Sequence, residues 1–496
     1  MTLLGPIYGN DPAAVAFVGG KERISYGRLC EDVDALAWWL HDRGIGAGSG
    51  LGIQFKGGLS YWVWVAHLAA IRIGARHATI DSLKSLRPAM GADGNQLDAY
   101  LFAGAALRNL PPSLRPLSIE PRGFGPLAEQ LGVKPRAWTK PETERHAARI
   151  ALTSGTTGRP HALLWTYDIM ADRIAQAGSD IVNGAQERLC PLIGTGTTAG
   201  FRYPIAAWRA GAAVLSWSNG NDGRAVSHAT VQRSTLLVIS PANLRTIISS
   251  SKSSYQGHGG RTLIVLGARV PTSLRDAALR TMGARVNVHY GSTETGRVAG
   301  GDAALTDRHP GAVGFASGGA TIEIVDADGV ALPAGEAGIV RIRTPSMCGD
   351  YLPDGNSDRQ SSIFKDGWFY PGDHGILFED GLLAIEGRAT ETVNIGGIKI
   401  SLPDIESRLL ELPGIADACA IRVAHRKDDL LVIVLVSAQD HESKPLHEAI
   451  GKMVPKNTPF RIVKTRAIAR NAAGKVQRDV LAQKLLTLIE KRETDG

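Results

Sequence analysis

Cysteine is scarce in this chain: Cys30, Cys190, Cys348 and Cys419 are the only four in 496 residues, and no two are spaced as a pair. That excludes a disulfide framework or a cysteine zinc site and fits a reducing compartment. Long hydrophobic runs are also missing. The most apolar stretch, Tyr61 to Ala75, is too short to span a bilayer and contains His67 and Arg72, so it reads as a buried helix. Residues 1–11 show no basic stretch followed by an apolar core, so no signal peptide is expected and the chain is expected to be cytoplasmic. Acidic residues number 48 against 55 Lys and Arg, a net charge of +7. The bases are spread along the chain without a nucleic-acid-binding motif, so the excess suits polyanionic small molecules and no nucleic-acid partner is expected. The rest of the composition, 44% hydrophobic and 21% charged, is that of a soluble globular protein. The length is several times one folding unit, so two or more domains are expected.

The first part of the chain alternates short apolar strands with helices, the pattern of a mostly parallel α/β sheet. Ala14 to Val18 reads as a strand ending at Gly19-Gly20. Ser25 is a candidate cap for a helix with Leu29, Val33, Leu36 and Leu40 at helical spacing, ending near Gly44. Leu51 to Phe55, Leu236 to Ile239 and Thr262 to Leu266 read as further strands, and Ser249 to Arg261 as a Ser- and Gly-rich surface loop. Beyond about Gly311 the pattern becomes short β segments, Ile322 to Val325, Gly338 to Ile342 and Leu382 to Ile385. Asp328-Gly329 and Asp380-Gly381 are hairpin candidates. From about Thr390 a compact α+β unit is expected, with a helix after Pro403 and strands at Ala418 to Val423 and Leu430 to Val436. No internal repeat is present.

The densest chemical signal is Leu152-Thr153-Ser154-Gly155-Thr156-Thr157-Gly158-Arg159-Pro160, after the strand-like Arg149 to Ala151. Glycines let backbone N–H groups approach a polyanion, and hydroxyls add donors to phosphate oxygens. No Lys-Ser or Lys-Thr follows the last glycine, so this is not the GxxxxGK[ST] phosphate loop. A polar surface turn is the alternative reading.

The run resembles the signature loop of the acyl-adenylate-forming superfamily, which comprises acyl-CoA synthetases, peptide-synthetase adenylation domains and luciferases. Four more segments resemble that family's motifs, in its order: His289-Tyr290-Gly291-Ser292-Thr293-Glu294, Asp366 to Asp373, Gly387-Arg388 with Asn394 to Ile400, and Arg470 to Arg478. Each is weak alone, since Glu294 reads equally as a helix-start carboxylate, Asp373 as a turn residue and Lys475 as a solvated lysine. Together they span most of the chain. The resemblance implies an α/β fold, with a large multi-sheet N-terminal adenylate-forming domain over 1–388 and a small mobile α+β lid domain over 389–496.

The resemblance also implies roles. Thr153, Ser154, Gly155, Thr156, Thr157 and Gly158, with His289, Tyr290, Gly291 and Ser292, would surround ATP. Glu294 would hold Mg²⁺, a hard cation suited to carboxylate and phosphate oxygens. Thr293 would donate to the α-phosphate, Tyr290 would lie against adenine, Asp373 would accept both ribose hydroxyls, and Arg388 would sit near ribose and phosphates. Lys475 would bridge the substrate carboxylate and the α-phosphate. Thr390 matches the hinge, where the family usually has Asp or Lys, and Gly396 and Gly397 match the loop lining the thiol channel. Thr195, Gly196, Phe201, Gly267, Ala268 and His289 would line the acid pocket.

The implied activity is ATP-dependent conversion of a small-molecule carboxylic acid to acyl-AMP, followed by transfer to the thiol of coenzyme A. The alternatives are an acyl or peptidyl carrier protein acting in trans, because no carrier domain follows Lys475, and an idle nucleotide-binding relative. Retention of Glu294, Asp373 and Lys475 together argues against the last. Two departures stand out: His161-Ala162 replaces the family's Lys-Gly, and Ile193-Gly194-Thr195-Gly196 replaces an aromatic-His segment. No acidic residue lies between Cys190 and Arg209 to meet a substrate ammonium, which weighs against an α-amino acid. Gly194, Gly196 and Gly200 read either as pocket space or as slack backbone.

Overall fold

A computed structural model describes residues 2–55, 60–94, 96–153, 160–216, 228–250, 260–349, 351–353, 363–388, 391–395, 398–425, 428–437, 443–455, 458–470, 476–478 and 480–486. The smaller of two large sheets has six strands, in the order Arg115–Ser118, Ala99–Ala103, Gly50–Phe55, Arg76–Thr79, Ala148–Leu152 and Ala162–Trp165. All are parallel to their neighbours except the last, which forms an antiparallel pair with Ala148–Leu152. Parallel strands need crossovers that cover both faces, and Gly50–Phe55 is accordingly buried along nearly its whole length.

The larger sheet begins as the expected parallel block: Val15–Gly19, Ala213–Leu215, Arg188–Leu192, Leu236–Ile239, Arg261–Leu266 and Ala284–Ser292. It continues antiparallel through Gly296–Asp302, Ala312–Ala316, Leu382–Arg388, Asp373–Leu377 and Ala337–Arg343. A short strand not read from the sequence, Glu22–Ser25, pairs back on Val15–Gly19. Ser25 then caps the helix Tyr26–His41 by accepting from the Arg28 amide, and Leu29, Val33, Leu36 and Leu40 are buried at helical spacing.

One hydrophobic core joins both sheets. It gathers Trp62, Trp64 and Val65 from the helix Ser60–Arg72, and Phe201, Tyr203 and Trp208 from the helix Thr198–Arg209. The first of these is the expected buried helix, apolar around most of its circumference and enclosed. Its chain turns at Gly74 (φ +74), where a β-carbon would lie 2.2 Å from the Thr143 carbonyl oxygen. At the same end Arg72 forms ion pairs with Glu144 at 2.7 Å and Asp34 at 3.3 Å. These carboxylates also receive the Leu4 amide, the Tyr8 hydroxyl and the Trp138 amide, so one guanidinium organises four segments.

Two turn expectations resolve differently. Asp380-Gly381 closes a tight hairpin between Asp373–Leu377 and Leu382–Arg388, with Gly381 at φ +82. Asp328-Gly329 does turn the chain, through an Asp326 amide bond to the Val330 carbonyl. The chain folds back there with the bonds of the Asp380-Gly381 turn, and Val325 bridges antiparallel to Ala331, but the ladder partner of Thr321–Val325 is the later strand Ala337–Arg343. The turn chemistry is local, whereas the pairing is decided by burial of Ile322 and Ile324 against Val340 and Ile342.

After residue 391 separate small sheets form: the hairpin Thr392–Ile395/Ile398–Ser401, and Ile415–His425, Asp428–Ser437 and Phe460–Lys464. The helix Leu402–Leu409 contains Pro403 in its first turn rather than following it, because proline there sacrifices no hydrogen bond. Alternation along Ile415–His425 sends Ala418 and Ala420 to one core, and Cys419, Ile421 and Val423 to another. This unit meets the large body through an Arg269–Asp404 ion pair at 2.9 Å. Arg245 is also held there, among Asp417, Glu406 and Arg470.

Two predictions follow from the core. Arg72→Met strands two buried carboxylates and is expected to cost about 3–5 kcal/mol, read as a lower unfolding temperature by calorimetry. His77 is fully buried, which pushes its pKa down to about 3. An unfolded histidine titrates near pH 6.5, so between pH 6.5 and 3 the unfolded state holds the extra proton and stability falls as pH falls. His77→Gln is expected to lessen the stability lost between pH 7 and pH 5 by about 2 kcal/mol in urea unfolding.

Candidate active site

The strand Ala284–Ser292 delivers His289, Tyr290, Gly291 and Ser292 to its carboxyl end, and Gly267 and Ala268 follow its neighbour Arg261–Leu266. Carboxyl ends of parallel strands are where α/β sheets bind ligands. Gly267, Ala268 and Gly291 are exposed there, with Ser292 and Thr293 partly so. The chain reverses into Gly296–Asp302 through a turn built on Ser292, whose hydroxyl accepts from the Glu294 amide at 3.2 Å and the Thr295 amide at 3.3 Å.

Glu294, at the tip of this turn, is buried, and its Oε1 accepts the Tyr351 hydroxyl at 2.6 Å. Tyr351 in turn lies 5.2 Å, ring to ring, from His161. The backbone carbonyl of Glu294 accepts from Arg173 at 2.7 Å and from the Cys348 amide at 2.9 Å. Among the described residues no cluster of three or more His, Cys, Asp or Glu forms a metal cage. A lone carboxylate is a donor of the kind that Mg²⁺ uses, since that ion keeps several waters and takes further ligands from phosphates.

Asp373 and Arg388 face each other across adjacent strands, and Tyr290 reaches them from the strand Ala284–Ser292. The Tyr290 hydroxyl donates to Asp373 Oδ2 at 2.6 Å and Arg388 Nε to Oδ1 at 3.0 Å. Burial and the Asp373 charge push the Tyr290 pKa well above the ordinary phenol value, so it stays a donor. Among the described residues each carboxylate oxygen accepts one bond, and a carboxylate oxygen has lone pairs for more than one donor.

His289 is buried against Tyr203, whose hydroxyl lies 3.1 Å from Nδ1. Burial first, then Arg297 and Arg202, lower its pKa well below the usual value, so it is a neutral imidazole. Asp180 closes the cluster by accepting from Arg297 at 2.8 and 2.9 Å and from Tyr203 at 2.6 Å.

Around Thr195 and Gly196 the carbonyls accept from Arg149 Nη2 at 3.0 and 3.4 Å, and the guanidinium stacks 3.9 Å from Phe201. Phe201 is fully buried, backed by Trp64, His67 and His77. Gly200 provides no pocket space: a β-carbon there would lie 2.0 Å from the Gly194 carbonyl oxygen. Thr153 begins the hydroxyl-rich loop, where its amide donates to the His161 carbonyl at 2.8 Å and closes the Ala148–Leu152/Ala162–Trp165 hairpin. Ser154, Gly155, Thr156, Thr157, Gly158, Thr390, Gly396, Gly397 and Lys475 lie outside the described residues.

The pattern described as AMP-binding enzyme matches residues 8–352, more than half of the sequence. The chain belongs to this AMP-binding enzyme family. Relatives include the indoleacetate–CoA ligase of Aromatoleum aromaticum, 27% identical over 342 residues, 67% of this chain and 66% of that one. The 3-hydroxybenzoate–CoA ligase of Aromatoleum sp. is 24% identical over 489 residues, covering 93% of this chain and 92% of that one. Among solved structures, ATP-bound MatB from Rhodopseudomonas palustris superposes with a TM-score of 0.78 at 21% identity, covering 98% of this chain and 99% of that one. MenE from Bacillus subtilis, in complex with its acyl-adenylate intermediate, gives 0.77 at 17%, covering 97% of each chain. The fold is thus that of the adenylate-forming enzymes.

For a member of an AMP-binding family, Asp373→Asn is expected to weaken AMP binding at least about tenfold, the worth of a charge-assisted hydrogen bond, and to lower the unfolding temperature, because its NH2 faces a donor that the carboxylate accepted. Isothermal titration with AMP, alongside calorimetry, checks both halves.

Proposed function

We propose that this protein is an ATP-dependent, AMP-forming acid–thiol ligase. A carboxylate attacks the α-phosphorus of ATP, giving acyl-AMP and pyrophosphate. A coenzyme A thiol then displaces AMP, giving the thioester. The observation that carries this reading is the bond from Tyr290, at the carboxyl end of Ala284–Ser292, to an Asp373 that also pairs with Arg388, with the buried Glu294 on the turn that follows, in an AMP-binding family member. Relatives named as indoleacetate–, 3-hydroxybenzoate– and 4-coumarate–CoA ligases support coenzyme A as acceptor. Structures whose descriptions name bound ATP, and ATP with magnesium, support the cofactors.

In this reading Asp373 accepts the ribose hydroxyls while Tyr290 and Arg388 fix its two oxygens. Glu294 holds Mg²⁺, which neutralises phosphate charge when bound, and Thr293 donates to the α-phosphate. Lys475 orients the carboxylate against the α-phosphorus. Residues 1–388 form the acid- and ATP-binding domain and 389–496 the lid, which pivots at Thr390 to bring Gly396 and Gly397 to the thiol. Thr195, Gly196, Gly267, Ala268 and His289 line the acid site, with Phe201 behind it. Neutral His289 offers no counter-charge, which suits an acid whose ring or chain carries no charge beyond the reacting carboxylate. The four free thiols suit a cytoplasmic setting.

A second reading, loading of a carrier-protein phosphopantetheine, is favoured by one relative, a fatty acid–[acyl-carrier-protein] ligase of Streptomyces coeruleorubidus, 24% identical over 351 residues. Pyrophosphate exchange across a panel of arylacetic, hydroxybenzoic, aliphatic and amino acids tests adenylation, and thiol consumption with the best acid tests the acceptor. Exchange without coenzyme A consumption moves the carrier-protein reading ahead, and no exchange with any acid overturns both. Lys475→Ala is expected to abolish exchange nearly completely yet spare thioester formation from supplied acyl-AMP, because the lysine serves only the first geometry.

A further inference from the structure

The helix Tyr167–Gly178 buries Tyr167, Met170, Ile174 and Ala177, and among them Arg173. This guanidinium is fully buried, and among the described residues it donates to backbone carbonyls and to the Cys348 thiol at 3.6 Å, with no carboxylate paired to it. Nη1 donates to Thr293 O at 2.8 Å, and Nη2 to Glu294 O at 2.7 Å. Ser346 O accepts from Nε at 3.2 Å and from Nη2 at 2.7 Å. The cation's face lies 4.4 Å from the Trp165 ring. Burial lowers its pKa to about 10, so the group remains charged at neutral pH. Gly296 makes room for it, since a β-carbon there would lie 3.3 Å from Nε.

Arg173 therefore grips two segments at once. One is the turn that carries Thr293 and Glu294. The other is the stretch from Ser346 that brings the Cys348 amide to the Glu294 carbonyl and the Tyr351 hydroxyl to the Glu294 side chain. A planar fork with five donors in fixed directions can hold three carbonyls in one geometry, which a lysine ammonium cannot. A brace needed only for packing would be met as well by an apolar side chain, without desolvating a cation.

We infer that Arg173 is a positioning residue for the metal-binding carboxylate: it fixes the Glu294 backbone and, through the Ser346–Tyr351 segment, the hydroxyl that orients the Glu294 carboxylate. This rests on the adenylation reading above. The test is Mn²⁺ binding, followed by electron paramagnetic resonance, in the presence of a non-hydrolysable ATP analogue; Mn²⁺ shares the oxygen-ligand preference of Mg²⁺. In Arg173→Lys the Mn²⁺ affinity is expected to fall about tenfold, the worth of a lost charge-assisted bond to the turn. The unfolding temperature is expected to fall, because buried carbonyls lose donors, so binding is measured well below it; analogue binding in EDTA should change little. Tyr351→Phe, which leaves Arg173 in place, should lower Mn²⁺ affinity about threefold, the worth of one net hydrogen bond.

Folded Arg173→Lys with wild-type Mn²⁺ affinity overturns the inference. If that variant does not fold, Tyr351→Phe decides, and unchanged Mn²⁺ affinity there overturns it. Wild-type protein that binds Mn²⁺ with the analogue but exchanges no pyrophosphate leaves this inference standing and sinks the adenylation reading instead.

Discussion

The reversal between Ala284–Ser292 and Gly296–Asp302 can close only because two residues lack a β-carbon. A β-carbon on Gly291 would lie 1.9 Å from the Gly296 carbonyl oxygen, and Gly296 itself takes φ +74. Everything at the candidate site is referenced to this contact. It presents Tyr290 to Asp373 on one side and lowers Glu294 towards Tyr351 on the other. A side chain at Gly291 would push the two strands apart, and the backbone cannot give by that much without losing the ladder.

The second organising theme is how the protein houses buried cations. Arg72 meets carboxylates, but Arg149, Arg173 and Arg261 meet backbone carbonyls. Arg261 donates to the carbonyls of Ser234, Met282 and Gln232. Carbonyls that leave a strand or enter a loop have no ladder partner, so a guanidinium can satisfy several without importing a carboxylate. The two fixed loops nearest the site, Thr195–Gly196 and Thr293–Glu294, are held in this way. Rigid loops are therefore made by helices and strands that lie behind them rather than by the loops' own sequences.

That division explains what the sequence revealed. The helix after Ser25 was legible because cap and apolar spacing are local. The strand Glu22–Ser25 was not, because four largely polar residues carry no periodic signal and only pairing with Val15–Gly19 makes them a strand. Tyr290, Asp373 and Arg388 were legible as members of ordered motifs, although only the fold shows that they bond one another. Gly200 was ambiguous because a glycine that opens space and one that admits a carbonyl look alike in sequence. Arg173 and Tyr351 went unread, yet Arg173 carried a signal: a lone arginine inside the apolar stripe Tyr167, Met170, Ile174, Ala177 marks a cation that must find buried partners.

The Arg269–Asp404 pair joins the residue after Gly267-Ala268 to the helix Leu402–Leu409. Asp404 is 58% exposed, so solvent and salt screen the pair, and such contacts contribute less than about 1 kcal/mol. A latch of that strength shifts an equilibrium by about fivefold at most. By reciprocity, any molecule that rests against Gly267-Ala268 and changes the Arg269–Asp404 pair has its own affinity changed by the same factor when the pair is lost. Occupancy at the lip and the strength of this ion pair are thus two readings of a single, salt-sensitive balance.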